Sequence, residues 1–231
     1  MDAGKRRLVI AIDGPVGAGK STAARRLADA LGYIYIDSGA MYRAMGWQAV
    51  RAGVDLGDQP GLARLAAQTD IRVAAGPSGP RVLVDGTDVT AALRTPTIDE
   101  ASSLVSTCSE VRERLVALQR AMAKEGGVVM DGRDIGTVVF PDADLKFYLD
   151  ADLSVRASRR LGDLRQAGTP AELSTVRAEV ARRDDRDRGR EHSPLRAAPD
   201  AIRIDSTAMD ADAVLGVMLA EVRKFAEPDN P

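Results

Sequence analysis

With 231 residues the chain suits one domain, or one carrying a sizeable insertion, and 45% hydrophobic against 29% charged residues exclude a disordered or fibrous protein. A formal charge of −2 argues against bulk DNA binding, and 3% aromatic residues leave few rings on which single-stranded nucleic acid could stack. The one Cys and one His, Cys108 and His192, exclude an intrachain disulfide and Cys- or His-based metal cages, and fit a reducing cytoplasm.

Lys5-Arg6-Arg7 ahead of Leu8 to Ile12 imitates a signal peptide, but five apolar residues fall short of the roughly 7 to 15 an h-region needs, and no run approaches the about 20 of a membrane span. The same Leu8 to Ile12 run, ending in a glycine-rich turn, reads as a strand. Ser21 to Leu31 then sets Ala23, Ala24, Leu27, Ala28 and Leu31 on one side of a helix. Tyr33 to Ile36 is a second strand, and Met41 to Arg51 a helix capped by Asp37 or Ser38. Between about residues 70 and 100 the pattern turns β-rich at Ile71 to Ala75, Arg81 to Val84 and Thr87 to Thr90. Gly76 to Pro80 and Asp85-Gly86 separate these runs, the second pair being a type I′ hairpin signal. Val128 to Met130, Leu145 to Leu149 and Ala201 to Ile204 complete five core strands, and a polar end from Glu227 is expected to fray.

Strands apolar along their whole length, most of them followed by a helix start, predict a doubly wound α/β fold whose parallel sheet is covered on both faces. A small antiparallel module interrupts it. The expected division is a core of residues 1–69 and 101–231 with an insertion at 70–100.

Gly14-Pro15-Val16-Gly17-Ala18-Gly19-Lys20-Ser21 matches G-x-x-x-x-G-K-[ST] between a predicted strand and a predicted helix, the context that phosphate cradling requires. Glycines let backbone N–H groups converge on phosphates, the helix N-terminus adds favourable partial charge, Lys20 supplies a cation and Ser21 a hydroxyl for Mg²⁺. The order of Gly14, Gly17 and Gly19 is not that of the dinucleotide fingerprint. A guanine-reading N-K-x-D is excluded, since the one Asn is Asn230. Val128-Val129-Met130-Asp131 runs on into Gly132-Arg133 without the acidic pair of a water-activating ATPase. Asp131 either helps hold Mg²⁺ or caps the strand-to-loop turn.

Arginine is concentrated where a second phosphorylated substrate could sit. Arg43 follows the second strand, Arg133 follows the third, and Arg177, Arg182, Arg183, Arg186, Arg188 and Arg190 crowd one segment with Glu179, Asp184, Asp185 and Asp187 interleaved. That segment is either a solvated, salt-bridged helix or a lid that brings charge to a transferring phosphoryl group.

Ile12-Asp13-Gly14-Pro15, Asp37-Ser38-Gly39-Ala40-Met41-Tyr42-Arg43, the run from Asp131-Gly132-Arg133-Asp134 to Asp142, and Arg183-Asp184-Asp185-Arg186-Asp187-Arg188 occur in that order. Together they resemble the bacterial cytidylate kinases, P-loop nucleoside monophosphate kinases, over about residues 7 to 225. The resemblance implies a three-layer α/β/α core around a five-stranded parallel sheet, an NMP-binding module at 70–100 and an arginine-rich lid at about 155–192. It implies ATP binding by Gly14 to Ser21 and Thr22, with Arg159 or Arg160 against the adenine and Asp205-Ser206-Thr207 bordering it. It implies Arg43 and Arg133 on the acceptor phosphate, helped by Arg183 and Arg190. Ser38 and Asp187 would hold the ribose, and Ser103, Arg112 and Asp134 would read cytosine. The catalytic group implied is Lys20, Arg133, Arg183 and Arg186, with Mg²⁺ on Ser21 and, in the first reading above, Asp131.

The expected activity is therefore phosphotransfer from Mg²⁺·ATP to CMP or dCMP by a cytoplasmic monomer, without nucleic-acid or membrane partners. A kinase for another acceptor such as uridylate, and an ATP-hydrolysing switch without an acceptor, are the alternatives.

Overall fold

Apolar β-branched runs need two covered faces, and the chain supplies them by alternating strands with helices. The computed structural model describes residues 7–74 and 80–226. It divides into two compact units, Met1–Tyr35 with Gly126–Pro231, and Ile36–Glu125. The second unit is wider than the insertion expected at 70–100, because four helices join the small β module in it. The polar end from Glu227 and the Gly76 to Gly79 part of the first module turn lie outside the described residues.

In the first unit, β1 (Val9–Asp13), β6 (Val128–Gly132), β7 (Leu145–Asp150) and β8 (Ile202–Asp205) pair in parallel, and β2 (Ile34–Asp37) completes the sheet order β2-β6-β1-β7-β8. All five strands fall within a residue or two of the apolar runs that predict them. Helices α1 (Lys20–Leu31) and α8 (Ala211–Ala226) cover the sheet through Ala24, Leu27, Val214 and Met218, which join Ile10, Ile12, Phe147 and Leu149 in the main core. Burying such side chains contributes roughly 1.5–3 kcal/mol each. Helices α6 (Leu153–Gln166) and α7 (Leu173–Gly189) pack on one another through a smaller cluster of Leu161, Leu164, Val176 and Val180. The expected lid segment thus has an apolar seam of its own beneath its charges.

The second unit holds α2 (Ser38–Arg51), α3 (Gln59–Gln68), α4 (Pro96–Val105) and α5 (Ser109–Met122) with an antiparallel sheet of β3 (Ile71–Ala74), β4 (Arg81–Val84) and β5 (Thr87–Asp88). Asp85 and Gly86 both take positive φ, 49° and 79°, as the expected type I′ turn requires. Asp37 settles the cap of α2: its Oδ1 accepts the Ala40 N–H at 2.9 Å.

Candidate active site

The phosphate loop joins β1 to α1 and leaves room for backbone alone. Gly14 has φ 147° and a Cβ there would stand 1.9 Å from the Leu149 carbonyl oxygen; Gly17 has φ 77° and its Cβ would stand 2.6 Å from that of Arg156. Only glycine satisfies both backbone and space. Lys20, buried at the head of α1, donates from Nζ to the Pro15 carbonyl at 2.7 Å. Burial first and Arg133 second lower its ammonium to about 7, against the opposing charges of Asp131 and Asp13. A polyphosphate is the kind of ligand that would restore its charge.

At the end of β6, next to β1, Asp131 is buried and fully engaged. The Ser21 hydroxyl donates to its Oδ2 at 2.9 Å and the Tyr35 hydroxyl to its Oδ1 at 2.8 Å. A serine hydroxyl against a carboxylate is a hard oxygen donor set, which fits Mg²⁺.

Two residues on, Arg133 donates from Nε to Asp187 Oδ2 at 2.8 Å, and Asp187 Oδ1 lies 3.4 Å from Arg190 Nη2. Burial alone would raise the Asp187 carboxyl; Arg133, Arg190 and Arg183 outweigh it and hold it below the usual carboxylate range. Arg183 and Arg186 share α7 with Asp187, and Arg183 also acts electrostatically on Lys20. Asp134 is buried at the start of a π-helical turn, Ile135–Val139. The first unit therefore gathers Lys20, Ser21, Asp131, Arg133, Arg183, Asp187 and Arg190 around the ends of β1 and β6.

A cleft of about 270 Å³ opens beside the phosphate loop, lined by Gly17 to Gly19, Thr22, Arg159, Ser206, Met209 and Val214 among others. Arg159 is fixed in it by bonds from Nη1 to Ser206 Oγ at 3.0 Å and from Nη2 to the Ser206 and Met209 carbonyls at 2.7 and 3.2 Å. Of the two arginines weighed for the adenine, Arg159 lines this cleft.

In the second unit, Arg43 donates from Nη2 to Asp37 Oδ2 at 2.7 Å. Burial opposes ionisation of Asp37, but Arg43, the Ala40 amide and Arg94 hold its carboxyl low. Ser38 begins α2; Ser103 is buried on α4; Arg112, buried on α5, donates to the Ser106 carbonyl at 3.3 Å and stacks 5.3 Å over the Tyr42 ring.

Sequence reasoning gave no task to Tyr35, Asp13 or Arg156, whereas Ser206, expected to border the adenine, does line the cleft. Arg156 is buried, donates to the Val16 carbonyl of the phosphate loop at 3.2 Å and pairs with Asp184 of α7 at 2.6 Å. Its one available signal was its spacing, three residues ahead of Arg159 on the same helix. The Ser206 hydroxyl accepts from Arg159 and has the Ala18 and Asp150 carbonyls, at 3.1 and 3.0 Å, as acceptors for its single proton.

The family model for cytidylate kinase matches residues 10–224. This chain belongs to the cytidylate kinase family. A cytidylate kinase of Geobacter sulfurreducens is 50% identical over 96% of this chain and 95% of its own, and one of Symbiobacterium thermophilum is 49% identical over 97% and 100%. The crystal structure of a gluconokinase from Sinorhizobium meliloti 1021 superposes with a TM-score of 0.52 at 14% identity, covering 97% of each chain, and shares the fold alone. Membership in the cytidylate kinase family accords with the five-stranded parallel sheet and the phosphate loop described above. No helix among the described residues is long and apolar enough to cross a membrane.

Proposed function

We propose that this member of the cytidylate kinase family transfers the γ-phosphoryl group of ATP to CMP or dCMP, giving ADP and CDP or dCDP. The observation that carries the reading is the buried group at the ends of β1 and β6, where Lys20 of the phosphate loop lies within electrostatic reach of Arg133 and Asp131. Relatives about half identical over nearly the whole chain bear the name cytidylate kinase.

In this reading the loop Gly14 to Gly19, through the backbone N–H groups of its residues other than Pro15, and Lys20 bind the polyphosphate, with Thr22 and Arg159 flanking it. Ser21 and Asp131 would hold Mg²⁺, which neutralises phosphate charge when bound. The acceptor phosphate oxygen is already an anion, so no general base is needed, and a chain with one His is suited to such chemistry. Arg133, Arg183, Arg186 and Arg190 offset charge on the phosphates, and Asp187 positions two of them while contributing to the ribose site. Asp134 reads the base; Ser38, Arg43, Ser103 and Arg112 are the contacts proposed from the second unit. Segment 155–192 acts as the lid, excluding water that would hydrolyse ATP. The enzyme is proposed to work as a cytoplasmic monomer.

The test is ADP release by the purified protein with Mg²⁺·ATP and no acceptor, CMP, dCMP or UMP. CMP and dCMP should stimulate release strongly and UMP weakly; equal release without an acceptor would overturn the assignment.

A further inference from the structure

Asp13 closes β1 one residue ahead of the phosphate loop, and no step above gives it a task. It is 3% exposed, and both its oxygens are engaged. Oδ1 accepts the Ile135 N–H at 2.8 Å and Oδ2 the Gly136 N–H at 2.7 Å. These two amides open the π-helical turn Ile135–Val139, directly after Arg133 and Asp134. Beyond the other end of the turn stands a second buried charge. Lys146 of β7 donates from Nζ to the Pro141 carbonyl and pairs with Asp200 at 2.8 Å. Gly136 lies between the two: a Cβ there would come 3.1 Å from Lys146 Cδ and 3.4 Å from Asp13 Oδ2.

A single helical turn leaves its leading amides and trailing carbonyls without partners of its own and is too short to hold itself by propagation. The Asp13 side chain satisfies the two leading N–H groups, and the Lys146 ammonium holds the Pro141 carbonyl two residues past the turn, so the segment is tied at both of its ends. We propose that Asp13 and Lys146 are positioning residues that bracket segment 135–141 and so fix the backbone presenting Arg133 and Asp134 to CMP. The proposal rests on the assignment of those two residues to CMP.

The experiment uses the full chain with Asp13→Asn, Lys146→Gln and Lys146→Arg. Asn offers one acceptor oxygen and sets an NH₂ against the second amide. Asp13→Asn should speed hydrogen exchange at Ile135 and Gly136 at least tenfold relative to the β6 amides. It should raise KM for CMP about tenfold or more while KM for ATP stays within about threefold. Lys146→Gln, acting from β7 at the opposite end of the turn, should shift KM for CMP in the same direction, and Lys146→Arg should recover most of it. The bracket is overturned if exchange at 135–136 is unchanged in Asp13→Asn, or if KM for ATP rises as much as KM for CMP. Should Lys146→Gln not fold, the comparison of Lys146→Arg with Asp13→Asn decides the same point. A wild type without CMP kinase activity would overturn the CMP assignment and the substrate half of this proposal, while the exchange rates would still decide whether the bracket exists.

Discussion

Arg133 and Asp187, 54 residues apart in the chain, share a part-buried ion pair with Nε 2.8 Å from Oδ2. The same carboxylate faces Arg190, so one anion holds two guanidinium groups proposed to meet the acceptor phosphate. Both oxygens of Asp187 are engaged by cations, so a ribose contact at this residue would be shared with them.

Removing the Asp187 carboxylate takes away the anion that Arg133 and Arg190 share. Asp187→Ala should lower unfolding free energy by about 3–5 kcal/mol, and Asp187→Asn by less, in urea titrations at pH 7. Because the Asp187 carboxyl is held below its ordinary 3.8, its ionisation stabilises the fold above that pH, and the contribution is lost as pH falls through the lower native value. The wild type should therefore lose stability relative to Asp187→Asn as pH drops below about 4; parallel pH–stability curves would show that the pair contributes nothing.

The Lys20 value is also lowered, but there burial favours the neutral form. Its folded value of about 7 lies below the ordinary 10.5, so at pH 8 most of the free enzyme has a neutral amine there. Polyphosphate favours the ammonium, so ATP binding at pH 8 should take up close to one proton, read by calorimetry in buffers of differing ionisation enthalpy. ATP affinity should fall by at most about tenfold per pH unit above 7. Lys20→Ala should abolish the uptake and cut phosphotransfer on the order of 10³-fold or more while the protein still folds. Unchanged proton uptake in Lys20→Ala would assign the effect to another group.

Arg156 joins the Val16 carbonyl of the phosphate loop to Asp184 of α7, with the pair 2.6 Å apart and both partners buried. Arg156→Met strands the Asp184 charge and should cost about 3–5 kcal/mol, whereas the Arg156→Met, Asp184→Leu pair, which removes both charges, should recover much of that loss. Additive losses in denaturant titrations would show that the two residues act separately.

What could be read in the sequence was what is local. The five strands announce themselves as apolar runs, the phosphate loop as a fixed spacing, and the Asp85-Gly86 turn as a dipeptide with one favoured conformation. The tasks of Asp13, Tyr35 and Arg156 were invisible because their partners lie 122, 96 and 140 residues away in the chain and two of those partners are backbone groups with no side-chain signature. The charge run of α7 was ambiguous for a different reason. Counting charges does not show that Asp184 and Asp187 turn inward, nor that Val176 and Val180 form an apolar seam with Leu161 and Leu164.

That seam changes the expectation for lid motion. Amides near Leu161, Leu164, Val176 and Val180 should exchange slowly in the free enzyme, since apolar packing supports them. Added protection on joint binding of an ATP analogue and CMP should concentrate at residues 183–192, where the arginines lie. Equal protection there in the free and doubly bound protein would refute a closing lid.

The base itself gives the last prediction. Cytosine and uracil differ little in size, so an apolar pocket would separate them weakly, and polar chemistry has to do it. Cytosine presents an amino donor beside an N3 acceptor, whereas uracil presents an acceptor beside an N3–H donor. With Asp134 accepting from the amino group, uracil would set its O4 against a buried carboxylate. Each buried mismatch costs roughly 1–3 kcal/mol, more for a charged group, so kcat/KM for CMP should exceed that for UMP by about 10² to 10⁴. Asp134→Asn supplies an amide that can rotate to donate to O4, so it should lose CMP activity while narrowing the ratio. The Asp134 side chain makes no cap bond to the turn that follows it, and the Ile135 and Gly136 amides go to Asp13, so the substitution should leave their slow exchange in place. An unchanged CMP-to-UMP ratio in a variant with that exchange intact would show that Asp134 does not read the base, and near-equal wild-type values would sink the preference for cytosine altogether.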